Sequence, residues 1–442
     1  MRIGMLAGCI AVVTCGAPNA RGGPLIAGNR QIAWDYLYGD AHVLMVGDSI
    51  QNSLHHYRYV KNANRLQGIV AGPNYPSSPW LGDDGSFGPA VDPATRPFLG
   101  ATGLYLANET PPTGVRGANP GATWHAGFTG VAGQQPAADL VTNAAAVVYV
   151  VTPFAKGATG MMHADLLTVA NPSGTGALTF DVTGASASGT GALASVAIST
   201  QAATTGLQRH QLTFQAAGDP AGLRAIVGLT PGQTPAAGSN LVLSGVRVYT
   251  GKPGLQLAGI GWGGTNTSYY LDPNNASDAD LARYFEFTDT NIVQIWIGHN
   301  DGVLADAWEP RIRALLDRYR AARPGVRFIL ESNYEDATVM WFAGYADVLA
   351  RIAAESTDVL YLNMYDAVGG APFAYSPLLV DSVHPSLAGA EYLVDVEYGL
   401  IQQAASSVPE PATGGLILTV AFAALAGRRN RRETVATAAR EH

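Results

Sequence analysis

Apolar runs alternate with amphipathic segments from residue 255 to residue 404, and this alternation constrains the fold more than any other feature of the sequence. Strands are predicted at 255–260, 292–297, 326–330 and 359–362. Between the second and third strands, apolar residues from 304 to 319 recur with the 3.6-residue period of a helix. Two more helices are predicted, over about 338–354 and 385–404. This order predicts a parallel sheet with helices on both faces.

A fifth strand of the same buried type lies far upstream, at 42–46, and a helix is predicted after it through about Leu66. Residues 142–250 differ in kind, because short β-patterned runs alternate there with Gly, Ser, Thr and Pro turns. That pattern is typical of an antiparallel sandwich, similar to the jelly-roll modules often attached to carbohydrate-active enzymes. The sequence therefore predicts an α/β domain in two parts, 40–141 and 251–405, with a β-sandwich inserted at 142–250.

The first twenty residues have the pattern of a secretory signal peptide, with Arg2 followed by an apolar run through Val13 and then small residues. The alternative is a buried first helix. Both cysteines, Cys9 and Cys15, lie in this segment. Removal of the signal would leave a mature chain without a disulfide, a thiolate metal site or a cysteine nucleophile.

The C-terminal residues 408–432 form a second processing pattern. Val408-Pro409-Glu410-Pro411 precedes an apolar run at 414–427 and then the arginine cluster at 428–432. The run is shorter than the ~20 residues that a spanning helix usually needs. The pattern resembles the PEP-CTERM sorting signal, which implies recognition by an exosortase at the membrane, cleavage and release. The alternative is a plain membrane anchor. We expect an exported protein, extracellular or at the cell surface, that is anchored only transiently through this segment.

Composition argues against several classes of partner. The formal net charge is −8 and charged residues make up only 14% of the chain, whereas nucleic-acid binding needs a concentrated basic surface. The sequence has no zinc-ligand spacing, phosphate-binding loop or dinucleotide fingerprint. We therefore expect no cofactor, no metal and no nucleic acid. The acidic segment 272–280 lacks the spacing of a calcium loop and is predicted to begin a helix.

Polar motifs follow four of the predicted strands, where open α/β sheets bind their ligands. They are Gly47-Asp48-Ser49-Ile50, Gly263-Gly264-Thr265-Asn266-Thr267, Gly298-His299-Asn300-Asp301 and Asp381-Ser382-Val383-His384. A serine is a weak nucleophile until a base takes its proton, and a histidine oriented by a carboxylate can do so near neutral pH. Asp48, Asp301 and His299 are interpreted as structural residues of these turns.

These motifs together resemble those of the SGNH (GDSL-like) hydrolases. The resemblance implies a flavodoxin-like three-layer α/β/α fold, with Ser49 as nucleophile, His384 as general base and Asp381 as its partner. It implies an oxyanion hole formed by the backbone N–H groups of Ser49 and Gly264, with Gly263 as the alternative glycine, and by the side-chain amide of Asn300. The resemblance covers the α/β parts and not the inserted sandwich.

Two functional hypotheses follow. The first is a secreted carboxylic ester hydrolase that forms an acyl-serine intermediate, with an ester substrate such as an acylated polysaccharide. The second is a surface or matrix protein that binds polysaccharide without catalysis and uses the α/β domain only as a scaffold. The presence of all three triad residues favours the first.

Overall fold

The computed structural model describes residues 23–71, 105–106, 123–125, 139–143, 148–185, 191–260, 264–336, 341–371, 373, 376–381 and 383–409. The predicted signal peptide at 1–20, Gly263 and all of the predicted sorting signal except Val408 and Pro409 lie outside these ranges. Within the described ranges, no helix is long and apolar enough to cross a membrane.

The described elements fall into an α/β order at both ends of the chain and an all-β order in the middle. In chain order they are β1 (Ile26–Gly28), α1 (Gln31–Tyr38), β2 (Ala41–Gly47), α2 (Ser49–Asn62), β3 (Leu66–Ala71), β4 (Tyr105–Leu106), β5 (Thr123–His125), β6 (Asp139–Asn143), β7 (Val148–Thr152), β8 (Thr159–Ala170), β9 (Leu178–Gly184), β10 (Ala192–Ile198), β11 (Gly206–Ala217), β12 (Leu223–Leu229), β13 (Asn240–Tyr249), β14 (Leu255–Gly259), α3 (Thr267–Leu271), α4 (Asp278–Thr288), β15 (Ile292–Trp296), α5 (Ala305–Ala322), β16 (Arg327–Glu331), α6 (Phe342–Glu355), β17 (Val359–Leu362), α7 (Met364–Ala367) and α8 (Leu387–Ser406).

Six strands form a parallel sheet in the spatial order β17-β16-β15-β2-β14-β3. Without β3, the chain order of the remaining five is 2-1-3-4-5 across the sheet, which is the flavodoxin-like order. The short strand β1 adds to β17 in the antiparallel direction. The carboxyl ends of β2, β14, β15 and β16 therefore lie along one edge of the sheet.

The central strand β2 is buried along its whole length because helices cover both faces of the sheet. Val43 and Met45 belong to the core beneath α1, α2 and α8, whereas Leu44 and Val46 belong to the core beneath α4, α5 and α6. Successive strand residues point to opposite faces, so an uninterrupted apolar run is what such a position requires. The predicted three-layer α/β/α architecture is confirmed.

The middle of the chain forms the predicted antiparallel sandwich. One sheet has the order β10-β9-β12-β7-β4. It packs on β8, β11 and β13 through a separate apolar core that includes Phe180, Leu166 and Phe214. Strand β13 also pairs with β3 in the antiparallel direction, from Val246 opposite Ala71 to Tyr249 opposite Gly68. The second sheet of the sandwich is thus continuous with the parallel sheet.

The structure differs from the sequence expectation next to the insertion. Helix α2 ends at Asn62 and not near Leu66, because residues 63–65 turn and Leu66 begins strand β3. The β-branched, buried residues Ile69 and Val70 extend the sheet beyond β14. The expected boundary between residues 141 and 142 falls inside β6, which pairs with β13.

Candidate active site

The candidate nucleophile stands at the junction of β2 and α2. Asp48 caps α2, because its Oδ1 accepts a hydrogen bond of 2.9 Å from the backbone N–H of Ile50. Position 47 has no room for a side chain, since a Cβ there would lie 2.0 Å from the carbonyl oxygen of Trp296. The close approach of β15 therefore requires glycine immediately before the cap. Ser49 becomes the first residue of the helix and is 4% exposed.

The structure brings His384 to Ser49 across 335 positions of sequence, with Ser49 Oγ and His384 Nε2 2.9 Å apart. His384 lies on a short loop that closes on itself. The N–H of Val380 donates to the carbonyl of His384 at 2.8 Å, and the N–H of Ser386 donates to that of Leu378 at 2.7 Å. Ser386 then caps α8 by accepting a hydrogen bond from the N–H of Gly389.

Asp381 holds the other side of the imidazole. Its Oδ2 lies 2.7 Å from His384 Nδ1, and its Oδ1 accepts from the backbone N–H groups of His384 at 2.7 Å and Val383 at 3.1 Å. Partial burial acts to raise the pKa of Asp381, but these N–H groups and the imidazole more than offset it, so the pKa lies below its ordinary value. An ionised Asp381 fixes the tautomer with a proton on Nδ1, which makes Nε2 the acceptor for the serine proton.

Tyr334 supports the same loop, and no sequence motif pointed to it. Its hydroxyl donates a hydrogen bond of 2.5 Å to the carbonyl of Val383, between Asp381 and His384 in sequence. Its ring is fully buried and packs against Trp296 and Phe373. The only sequence signal was its position three residues after the end of β16, at the edge of the sheet where the motifs gather.

The two other motifs meet beside the nucleophile. Asn300 Nδ2 donates a hydrogen bond of 3.0 Å to the carbonyl of Thr265, and the hydroxyl of Thr265 donates to the carbonyl of Gly47 at 3.1 Å. Gly264 has φ +80°, a conformation that glycine adopts without strain. An amide nitrogen has two N–H groups, so one orients Asn300 and the second can serve an oxyanion. Gly263 lies outside the described residues.

Asp301 and His299 form the supports of these turns. Asp301 accepts from both the backbone N–H and the hydroxyl of Thr267, which ties the Asn300 turn to α3. The ring of His299 is buried between Tyr334 and Phe342. Burial lowers the pKa of His299 to about 3, and the neighbouring His384 acts in the same direction. His299 is therefore uncharged at neutral pH. In the acidic segment, Ser277 caps α4 as a helix start requires.

Across the described ranges, no group of three His, Cys, Asp or Glu side chains is arranged to hold a metal ion. The site thus consists of a hydroxyl, an imidazole, a carboxylate and a set of N–H donors. This combination is suited to acyl transfer, in which a nucleophile, a base and an oxyanion site act together.

Comparison with protein families gives one match. Residues 229–392 match the sequence model of the GDSL-like Lipase/Acylhydrolase family. Over these residues the chain is therefore similar in sequence to the GDSL-like acylhydrolases. The matched residues include Asn300, Asp381 and His384 but not Ser49, which precedes the inserted sandwich. No match was found among curated protein sequences.

Three of the solved structures that match the chain are esterases by their descriptions. A peptidoglycan O-acetylesterase is 14% identical, with 87% of this chain and 100% of that chain covered and a TM-score of 0.51, which shows a shared fold. A family two carbohydrate esterase from Cellvibrio japonicus is 12% identical, with 69% and 98% covered and a TM-score of 0.28. A family 3 carbohydrate esterase from Talaromyces cellulolyticus is 20% identical, with 34% and 73% covered and a TM-score of 0.27. The last two similarities are too low to carry an argument.

The buried carboxyl of Asp48 predicts a pH dependence of stability. Burial raises the pKa of Asp48 to about 7, and the charge of Asp301 acts in the same direction. The hydrogen bond from the N–H of Ile50 lowers this pKa but does not offset the burial. The pKa of Asp48 is thus higher in the folded chain than in the unfolded chain, where it is near 4. Its contribution to the free energy of unfolding is fully present below pH 4 and is lost as the pH rises through about 7. Asp48→Asn keeps the cap and removes the titration. Relative to the original chain, we expect the variant to gain about 4 kcal/mol in unfolding free energy between pH 4 and pH 8.

Urea unfolding at both pH values measures this difference, with the exposed carboxylate Asp306 changed to Asn as a matched control. A constant difference between Asp48→Asn and the original chain at the two pH values would show that Asp48 ionises normally in the folded protein.

Proposed function

We propose that this chain is a carboxylic ester hydrolase that works through an acyl-serine intermediate on Ser49. The observation that carries the proposal is the continuous hydrogen-bonded path from Ser49 Oγ to His384 Nε2 at 2.9 Å and from His384 Nδ1 to Asp381 Oδ2 at 2.7 Å. A hydroxyl within hydrogen-bonding reach of a base, which is itself oriented by a carboxylate, is the arrangement that activates a serine.

The reaction would proceed in two halves. As Ser49 Oγ attacks the ester carbonyl carbon, His384 Nε2 takes the hydroxyl proton and becomes imidazolium beside ionised Asp381. The tetrahedral intermediate collapses, the C–O bond to the alcohol breaks, and His384 returns the proton to the departing oxygen. A water molecule then gives a proton to His384 and attacks the acyl carbon. The C–O bond to Ser49 Oγ breaks, His384 returns the proton to Ser49 Oγ, and the acid is released.

The negative oxygen that develops in both halves needs donors that are already in place. The backbone N–H groups of Ser49 and Gly264 and the second N–H of Asn300 are the candidates. The hydrogen bond from Asn300 to the carbonyl of Thr265 supports this role, because it fixes the plane of the amide before substrate binds. Donors that need no reorganisation during the reaction contribute most to the rate.

We infer that the substrate is an acylated carbohydrate, with an acetyl ester of a polysaccharide as the first to test. Two points support this class. One solved structure that shares this fold over 87% of the chain is a peptidoglycan O-acetylesterase. A β-sandwich is also joined to the parallel sheet by β13, as a second unit through which a long substrate could be held.

Ser49→Ala should remove esterase activity. Without the Oγ there is no acyl-enzyme, so we expect a loss of at least about 10³-fold in kcat on p-nitrophenyl acetate and on an O-acetylated polysaccharide, measured as released p-nitrophenol and acetate. Ser53→Ala is the matched control, because this buried serine lies on the same helix and donates only to the backbone carbonyl of Ser49. Equal rates for Ser49→Ala and the original chain would refute the esterase proposal. Glycan binding without hydrolysis would favour a polysaccharide-binding protein instead.

Asn300→Ala should lower kcat and leave KM nearly unchanged. The lost N–H acts on the oxyanion and not on the ground-state ester, and removal of one such donor typically lowers the rate by about 10²–10³-fold. Steady-state kinetics on the same ester measure both constants. A loss confined to KM would place Asn300 in ground-state binding and outside the oxyanion hole.

We further propose that the protein is exported and processed at both ends, with an exosortase-type enzyme as the partner at its C-terminus. The supporting features are the signal-peptide pattern at 1–20 and the ordered motif, apolar run and arginine cluster at 408–432. Mass spectrometry of the product made by a host with an exosortase should find neither segment. Recovery of a chain that still carries 414–442 would exclude C-terminal cleavage.

A further inference from the structure

A fully buried guanidinium lies nine residues after Ser49 on α2, and its five N–H groups all have acceptors. Arg58 Nε donates to Glu397 Oε1 and Oε2 at 3.0 and 2.9 Å, and Nη2 donates to Glu397 Oε2 at 2.5 Å and to Glu331 Oε2 at 3.1 Å. Nη1 donates to Gln51 Oε1 at 2.7 Å and lies 3.9 Å from the sulfur of Met45.

Gln294 completes the group, because its Nε2 donates to Glu331 Oε1 at 2.9 Å and to Glu397 Oε1 at 2.8 Å. We call these five residues the Arg58 cluster: Gln51, Arg58, Gln294, Glu331 and Glu397. None is more than 2% exposed. They come from α2, β15, β16 and α8, so a single planar guanidinium joins elements that are far apart in the chain.

The charges of the cluster balance only if one carboxyl is protonated. Burial first, and then the charge of Glu397, raise the pKa of Glu331 well above its ordinary value. Protonated Glu331 leaves Arg58 and Glu397 as a buried ion pair. Such a pair is often no more stabilising than apolar residues of the same volume, because the desolvation of both ions offsets their attraction. Stability alone therefore does not account for this cluster, whereas the fixed geometry of the guanidinium does give directional contacts.

Each joined element carries one part of the candidate site. Helix α2 begins with Ser49. Helix α8 follows directly after the His384 loop. Strand β16 ends at Glu331 and leads to Tyr334, whose hydroxyl holds the carbonyl of Val383. The guanidinium thus bonds to the nucleophile helix, to the helix behind the base and to the strand that supports the base loop.

We propose that Arg58 and Glu397 are positioning residues of the esterase reaction. Their contact between α2 and α8 sets the distance between Ser49 Oγ and His384 Nε2. This inference rests on the proposed function for its kinetic consequences, although the geometry it concerns can be measured without turnover. A displacement of about 1 Å at reacting groups can lower a rate by about 10²-fold. The Arg58 cluster therefore needs to act only on the relative placement of two helices.

The kinetic test compares Arg58→Met with two matched controls. Lys61→Met breaks the exposed ion pair with Asp395, which joins the same two helices at the surface. Leu400→Ala removes a buried apolar side chain from α8 and has no polar partner to lose. Complete labelling with diethyl p-nitrophenyl phosphate counts the competent sites, because each reactive serine releases one p-nitrophenol. Rates are then expressed per labelled site.

We expect Arg58→Met to lower kcat per site about 10- to 100-fold with KM within about threefold, and to slow serine labelling by the same factor. The two controls should match the original chain per site, even where Leu400→Ala is less stable. If Arg58→Met also matches it per site, the Arg58 cluster only stabilises the fold and the proposal is overturned. If Arg58→Met does not fold, Glu397→Gln, which keeps the side-chain volume but not the two-oxygen contact, gives the same comparison.

A crystal structure of the same variant gives a measurement that does not need turnover. We expect the distance from Ser49 Oγ to His384 Nε2 to lengthen from 2.9 Å to beyond hydrogen-bonding range. An unchanged distance overturns the positioning role, even if the original chain proves to hydrolyse no ester. Equal esterase rates for Ser49→Ala and the original chain, in contrast, would overturn only the proposed function.

Discussion

The hydrogen bond between the Ser49 hydroxyl and the His384 imidazole joins segments 335 positions apart, and the rest of the structure holds its two ends. The serine is held by strand β2, because Gly47 packs against the backbone of β15 and Asp48 caps the helix that follows. The histidine is held by a closed loop with no regular element of its own. Asp381 from within that loop and Tyr334 from the segment after β16 together fix the ring and the backbone around it.

The long insertion does not disturb this arrangement, because the chain leaves and re-enters the parallel sheet at the same edge. Strand β3 leads out of the sheet, β13 returns beside it in the antiparallel direction, and β14 then takes its place between β3 and β2. The entropy of closing a loop grows only with the logarithm of its length, so even a large insertion there adds little cost. The sandwich has a core of its own and need not share that of the α/β layers.

The sequence predicts those parts of the fold that have local signals. Buried parallel strands are continuous apolar runs, so β2, β14, β15, β16 and β17 could be predicted within about one residue of their bounds. Strand β3 was missed, since the helix after Ser49 was predicted to continue through about Leu66, and only the pairing with β14 and β13 makes Leu66–Ala71 a strand. The motif residues at strand ends could be grouped because parallel strands share one edge.

Tyr334 and Arg58 could not be predicted, because neither belongs to a motif and their partners are defined only in three dimensions. For Arg58 the sequence did contain one local hint. Gln51 and Arg58 lie seven positions apart on a helix, and so on the same face as the buried Leu54. A charged group on a buried face needs a partner, but the sequence does not name it. Glu397, 339 positions away, is that partner.

The environment that buries these polar groups also determines which of them carries charge in the candidate site. Burial raises the pKa of Asp48 to about 7 and that of Glu331 well above its ordinary value, and burial lowers the pKa of His299 to about 3. Asp381 differs because backbone N–H groups stabilise its ionised form. Asp381 is then the carboxylate nearest the imidazole that is held ionised. In the proposed reaction, a negative charge on the Nδ1 side would stabilise the imidazolium that forms as Ser49 is deprotonated, and neutral N–H donors would serve the oxyanion side. The resting site therefore already has the separation of charge that the proposed acyl transfer would require.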